Sequence, residues 1–72
     1  MPVRFSARNQ LQGTVKSIKL GTVMAEIIVE LPGGQQIVSA ITRASAESLA
    51  LKQGDSVIAI IKSTEVMIGK NE

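Results

Sequence analysis

Val23-Met24-Ala25-Glu26-Ile27-Ile28-Val29-Glu30-Leu31, running into Pro32-Gly33-Gly34, is the stretch whose reading decides the fold. Val23, Ala25, Ile27, Val29 and Leu31 share one face of a two-residue period, and Glu26 and Glu30 lie on the other. That alternation, with its β-branched residues, predicts a strand rather than a helix. Met24 and Ile28 share the Glu face, so it is not purely a solvent face. Pro32-Gly33-Gly34 is a strong turn signal, and Gln35 to Ile41 is expected to pair back as a hairpin.

Toward the N-terminus, Leu11 to Leu20 begins in the same period, with Leu11, Gly13 and Val15 on one face. The phase then slips, because Ile18 and Leu20 have the opposite parity. A bulge near Lys16-Ser17 explains the slip. Gly13 marks a sharp bend or a close backbone approach, and Gly21 turns the chain.

Beyond the hairpin, Thr42 is an expected N-cap for a short helix over Arg43-Ala44-Ser45-Ala46-Glu47-Ser48-Leu49. Ala46, Leu49 and Ala50 are expected to plug one end of a small barrel. Gln53-Gly54-Asp55 ends that unit. Ser56 to Lys62 is apolar on both faces, Val57, Ala59 and Ile61 against Ile58 and Ile60, and such a strand is covered on both sides. In so small a chain the second cover is most simply another subunit. Glu65 to Ile68 reads as a last short strand, with Gly69 to Glu72 a frayed end.

The expected fold is therefore all-β: a small five-stranded, OB-like Greek-key barrel with one short helix between strands 3 and 4. Residues 1–72 read as a single domain with no internal repeat or linker.

Composition narrows the function. A 72-residue domain buries only about 60% of its unfolded surface, so the monomer is marginal and subunit contacts are a usual remedy. There is no Cys and no His, which excludes disulfides and zinc- or haem-type sites. Hydrophobic residues make up 44% of the chain although Phe5 is the one aromatic, so the core is aliphatic. The net charge of +2 is spread without a run of like charge. The Met-Pro-Val-Arg-Phe-Ser start has no apolar signal region, and no apolar run reaches the ~20 residues of a membrane span. A cytoplasmic protein without a membrane partner is the expectation.

Catalysis has few candidate groups. The nearest pair of acids, Glu26 and Glu30, reads as a solvated strand face, and no phosphate-cradling loop is present, so no enzyme is expected. Single-stranded nucleic acid, a common ligand of OB barrels, is read by stacking bases on aromatic platforms. Phe5 alone is a poor platform, and this reading ranks as the alternative, beside a non-ligand-binding interaction domain.

The richest donor chemistry lies in Ser6-Ala7-Arg8-Asn9-Gln10, with a second cluster at Lys62-Ser63-Thr64. Arg offers a planar fork, Lys a compact charge, and Ser hydroxyls and free backbone N–H groups add donors without charge. The two clusters are expected to meet across an oligomer interface around a small tetrahedral oxyanion. The plain alternative is a solvated surface, with Ser6 capping a turn and Arg8 and Lys62 free in water.

Ser6-Ala7-Arg8-Asn9-Gln10-Leu11-Gln12-Gly13 resembles the opening signature of the molbindins, the Mop family of molybdate-binding TOBE domains. Val15-Lys16-Ser17-Ile18 before Gly21, Ile41-Thr42 before Ser45-Ala46-Glu47-Ser48-Leu49, and Ala59-Ile60-Ile61-Lys62-Ser63-Thr64-Glu65-Val66-Met67-Ile68 continue the resemblance over nearly the whole chain. It implies a homohexamer, a trimer of dimers, that binds molybdate or tungstate between subunits, with no organic cofactor and no directly ligated metal ion. It implies that Ser6, Ala7 (through its N–H) and Arg8 bind the oxyanion together with Lys62 and Ser63 of another subunit. A second site would use Gly21, Thr22 and Val23, mostly by backbone.

Overall fold

A computed structural model describes residues 4–71. The sequence readings that fall on Met1–Val3 and on Glu72 lie outside the described residues. The elements are β1 (Asn9–Leu20), β2 (Met24–Glu30), β3 (Gln36–Thr42), α1 (Arg43–Ser48) and β4 (Ser56–Ile61), followed by a 3-10 turn at Ser63–Glu65. All strand pairs are antiparallel, and the sheet order is β3-β2-β1-β4.

The long strand β1 organises the sheet. Its first half pairs with β4, from Asn9↔Ile61 to Thr14↔Ser56, and its second half with β2, from Thr14↔Glu30 to Leu20↔Ala25. A strand serving two neighbours in succession must bend where it changes partner. Gly13 sits at that bend. A Cβ there would stand 2.6 Å from Val29 Cγ1 and 2.7 Å from the Glu30 carbonyl oxygen, so only glycine admits the approach. The expected bulge is present between Val15 and Ser17. It leaves Lys16 unpaired and re-aims the rest of β1, which is how the apolar parity changes sides. Beside it the Val15 N–H donates to the Asp55 carbonyl (2.9 Å) and the Gly54 N–H to the Val15 carbonyl (2.9 Å), extending the ladder past β4.

The β2–β3 hairpin forms where the alternation places it, with Glu30↔Gln36 as its last pair. Gly33 and Gly34 both take positive φ, +100° and +93°, which the Pro-Gly-Gly turn supplies without strain. Ala25, Ile27 and Val29 of β2, Val15 of β1 and Ala46 of α1 form the buried core, with Ile18, Leu31, Ile37, Ile41, Leu51 and Val57 packed around it. Val23, at the start of the predicted strand, is exposed, because β2 begins at Met24.

Thr42 caps α1 as expected: its Oγ1 accepts the Ser45 N–H at 3.0 Å. The expected plug is corrected in part. Ala46 is buried, but Leu49 is 66% exposed and Ala50 is exposed. The cause is the helix end. The Leu51 N–H donates to the Ala46 carbonyl (3.1 Å) and the Ala50 N–H to the Glu47 carbonyl (2.9 Å), with Ala50 at φ +51°. This is a Schellman cap. It swings Leu49 outward and delivers Leu51 to the core in its place.

The fifth strand differs as well. Ser63–Glu65 winds into the 3-10 turn, Val66 leaves it in extended backbone, and Val66, Met67 and Ile68 lie outside any strand, 46%, 93% and 89% exposed. An apolar run makes a strand only beside a ladder edge, and this segment pairs with none of the four strands. The curled sheet keeps its OB-like form with four strands. β3 and β4 are its two edges, and an open apolar trough lies between them.

Candidate functional site

The antiparallel β1–β4 pair decides where the two donor clusters go. Ser6-Ala7-Arg8 leads into β1, and Lys62-Ser63 leaves β4. The last ladder pair at that end is Asn9↔Ile61, so the next residues outward are Arg8 and Lys62. Within one chain, then, the two clusters enter and leave at the common end of two paired strands, and the expected meeting between subunits involves a second copy of this end.

Ser6, Arg8, Lys62 and Ser63 are exposed, and Ala7 is half-buried. Two features give the cluster its chemistry. Among the described residues, neither Arg8 nor Lys62 forms an ion pair; the carboxylate bridges are Lys16–Glu30 and Arg43–Glu47. Like charges opposite one another on neighbouring strands repel, and an anion between them removes that cost. The backbone is also set to donate rather than accept. The Gln10 side-chain amide donates to the Ala7 carbonyl at 2.8 Å. The Lys62 carbonyl accepts the Glu65 N–H (2.9 Å) and the Ser63 carbonyl the Val66 N–H (3.4 Å). Three acceptors that would repel an oxyanion are thereby occupied.

Gln10 is the residue that the sequence reading did not single out. It stood in the donor-rich stretch, but its role here is to hold Ala7 rather than to bind a ligand. The three-residue spacing was the available signal, since it lets a side chain reach back to its own strand entry.

The second predicted site lies at the other end of β1. Gly21, Thr22 and Val23 are all exposed in the β1–β2 turn. The Gly21 N–H donates to the Met24 carbonyl (2.7 Å), the Arg43 N–H to the Val23 carbonyl (2.7 Å), and Arg43 Nη1 to the Gly21 carbonyl (3.3 Å). The turn is thus fastened to α1, and the structure does not bring it near Ser6–Arg8. Among the described residues no group of three or more His, Cys, Asp and Glu could hold a metal ion. No helix is long and apolar enough to cross a membrane.

Residues 6–68 match the TOBE domain family. The chain is also 49% identical, over 64 residues, to molybdenum-pterin-binding protein 3 of Clostridium pasteurianum, a span covering 89% of this chain and 94% of that protein. The chain belongs to the Mop family of TOBE domains. Its fold agrees with that membership. MopII from Clostridium pasteurianum superposes with a TM-score of 0.89 at 46% identity, covering 93% of this chain and all of MopII. A molybdate-bound structure of ModG, described as a cytoplasmic molybdate-binding protein, superposes with a TM-score of 0.82 at 48% identity, covering 85% of this chain and 43% of ModG. For this Mop domain the comparisons speak to fold and family. The assignment of individual donors rests on the β1–β4 geometry.

Proposed function

We propose that this protein binds molybdate or tungstate through Ser6, the Ala7 N–H, Arg8, Lys62 and Ser63, and serves in intracellular storage, buffering or delivery of the oxyanion. The observation that supports the reading is the β1–β4 register, which brings Arg8 and Lys62, neither ion-paired among the described residues, to the same end of two paired strands beside occupied carbonyls. The ligand class is supported by ModG, a molybdate-binding relative of known structure. The name of the Clostridium relatives also mentions a pterin. A pterin ring calls for a stacking surface, and Phe5 is the one aromatic residue here, so the bare oxyanion is the better match. The same shortage of aromatics sets the nucleic-acid alternative aside.

The working form is a homo-oligomer, a hexamer built as a trimer of dimers, in which a second subunit completes the coordination of the exposed cluster. Ile58 and Ile60 support this, since they project from β4 half-exposed and uncovered. The Gly21-Thr22-Val23 turn is a second, backbone-lined anion site. A cytoplasmic location follows from the kinship with ModG, and no catalytic step is proposed. Equilibrium dialysis of the purified protein against molybdate tests the reading. Saturable retention at a fixed number of anions per subunit is expected, and retention no greater than that of an unrelated protein of equal charge would overturn it.

A further inference from the structure

We propose that Gln10 sets the anion selectivity of the site by keeping the Ala7 carbonyl closed to a protonated oxyanion such as phosphate, an inference that rests on the oxyanion site proposed above and deepens it. Three carbonyls of the donor cluster are engaged, those of Ala7, Lys62 and Ser63. The Lys62 and Ser63 carbonyls are held by backbone N–H groups, of Glu65 and Val66. Of the three, only the Ala7 carbonyl is held by a side chain, the Gln10 amide at 2.8 Å. An acceptor closed by a side chain opens when that side chain changes, and one closed by backbone does not. The amide's orientation is fixed by its partner, because a carbonyl oxygen only accepts and the NH2 end must face it.

The Ala7 carbonyl matters because it belongs to the residue whose N–H is a proposed donor. An anion taking that N–H stands within a few bonds of the oxygen. Phosphate in mildly alkaline solution is a dianion that still carries one proton, whereas sulfate and molybdate are dianions with none. Arg8 and Lys62 only donate, and a Ser6 or Ser63 hydroxyl that accepts the proton is one donor fewer for the other oxygens. The carboxylate nearest to this cluster along the chain, that of Glu65, belongs to a residue lining the apolar trough. With Gln10 in place, the phosphate O–H lacks a free acceptor, which is costly once the anion is desolvated. Uncovering the Ala7 carbonyl supplies one. The same bare oxygen repels sulfate and molybdate, so it rewards the protonated anion alone. Gln10 is exposed and its backbone is paired with Ile60, so its side chain can change while the ladder holds the strand in place.

Competition dialysis at mildly alkaline pH and fixed ionic strength, where phosphate and sulfate match in charge, tests the proposal. Molybdate held by the protein is displaced with phosphate or with sulfate, and the ratio of the two displacing concentrations is read. Gln10→Met keeps the side chain's length and removes its donor, Gln10→Ala removes both, and Gln10→Lys keeps a donor. In Gln10→Met and Gln10→Ala the ratio should move several-fold in favour of phosphate. In Gln10→Lys it should stay near that of the unmodified protein. A side chain that only props the segment would weaken all the anions together and leave the ratio alone. An unchanged ratio in Gln10→Met and Gln10→Ala, or the same shift in all three variants, would overturn the proposal. So would Gln10→Met and Gln10→Ala proteins that are folded by circular dichroism yet retain no molybdate. Molybdate retention by the unmodified protein is read separately. Retention with an unchanged ratio in the variants sinks the role of Gln10 and leaves the oxyanion site standing, and no retention by the unmodified protein sinks both.

Discussion

Arg8 and Lys62 are where the function is most exposed to test. A hydrogen bond to a charged group contributes roughly 1.5–3 kcal/mol, which is about tenfold or more in affinity. Arg8→Ala and Lys62→Ala should each weaken molybdate binding by at least that factor, measured by titration calorimetry, while leaving the melting temperature of the unliganded protein unchanged or slightly raised as the repulsion between them is relieved. Unchanged affinity in both variants would return these side chains to an ordinary solvated surface. Gly13 tests the fold in the same way. With Val29 Cγ1 and the Glu30 carbonyl both inside 3.0 Å of an added Cβ, Gly13→Ala should cost about 1–3 kcal/mol, read as a lowered midpoint in urea. Residue types disclosed both features: a donor-rich stretch without acids, and a lone glycine in a strand. They did not disclose that Ala7 is held by Gln10, a local side-chain contact, or that Arg8 and Lys62 flank the last β1–β4 ladder pair, which depends on the register.

At the level of elements, the hydrophobic period carried most of the information. β2, β3 and β4 lie within one residue of the runs that their alternation marks, and the phase slip in β1 corresponds to a real bulge. Two elements were not legible, for different reasons. Leu49 and Ala50 continue the helical composition of α1, but the cap at Ala50 ends the helix, and alanine gives no warning of a left-handed turn. Val66–Ile68 has strand composition, but a strand also needs a neighbour, which local sequence does not encode. The cap makes a prediction of its own. A left-handed residue other than glycine costs roughly 1–2 kcal/mol, so Ala50→Gly should stabilise the protein by about 1 kcal/mol despite the added chain entropy. That is about 4–8 °C in melting temperature for a domain of this size. A lower melting temperature would mean that the Schellman cap does not form. Thr42→Ala should act in the opposite direction, costing about 0.5–2 kcal/mol through loss of the cap to the Ser45 N–H.

At the scale of the molecule, the buried core among the described residues is five side chains, while Ile58, Ile60, Val38 and the Val66–Ile68 tail stay in contact with water. A chain with 44% hydrophobic residues and so small a core among the described residues fits the proposed homo-oligomer. Ile60→Lys should therefore dissociate or aggregate the assembly in native mass spectrometry, and a stable monomer for the unmodified protein would contradict the shared surface. The central claim is the oxyanion site, and selectivity tests it most directly. Molybdate and tungstate are full dianions at neutral pH. Phosphate still carries a proton there, and that O–H needs an acceptor. Arg8, Lys62 and the free N–H groups offer none, the Ala7, Lys62 and Ser63 carbonyls are already engaged, and a Ser6 or Ser63 hydroxyl that accepts the proton is one donor fewer for the other oxygens. An unpaired O–H costs roughly 1–3 kcal/mol. Sulfate has no such proton but is smaller, leaving some donors out of reach. Ligand that binds only the folded protein raises its melting temperature by mass action. The deciding measurement is the melting temperature at fixed ionic strength with each of the four anions in turn. Large stabilisation by molybdate and tungstate, little by sulfate and least by phosphate is the predicted result; equal stabilisation by all four would reveal a nonspecific basic surface and contradict the site.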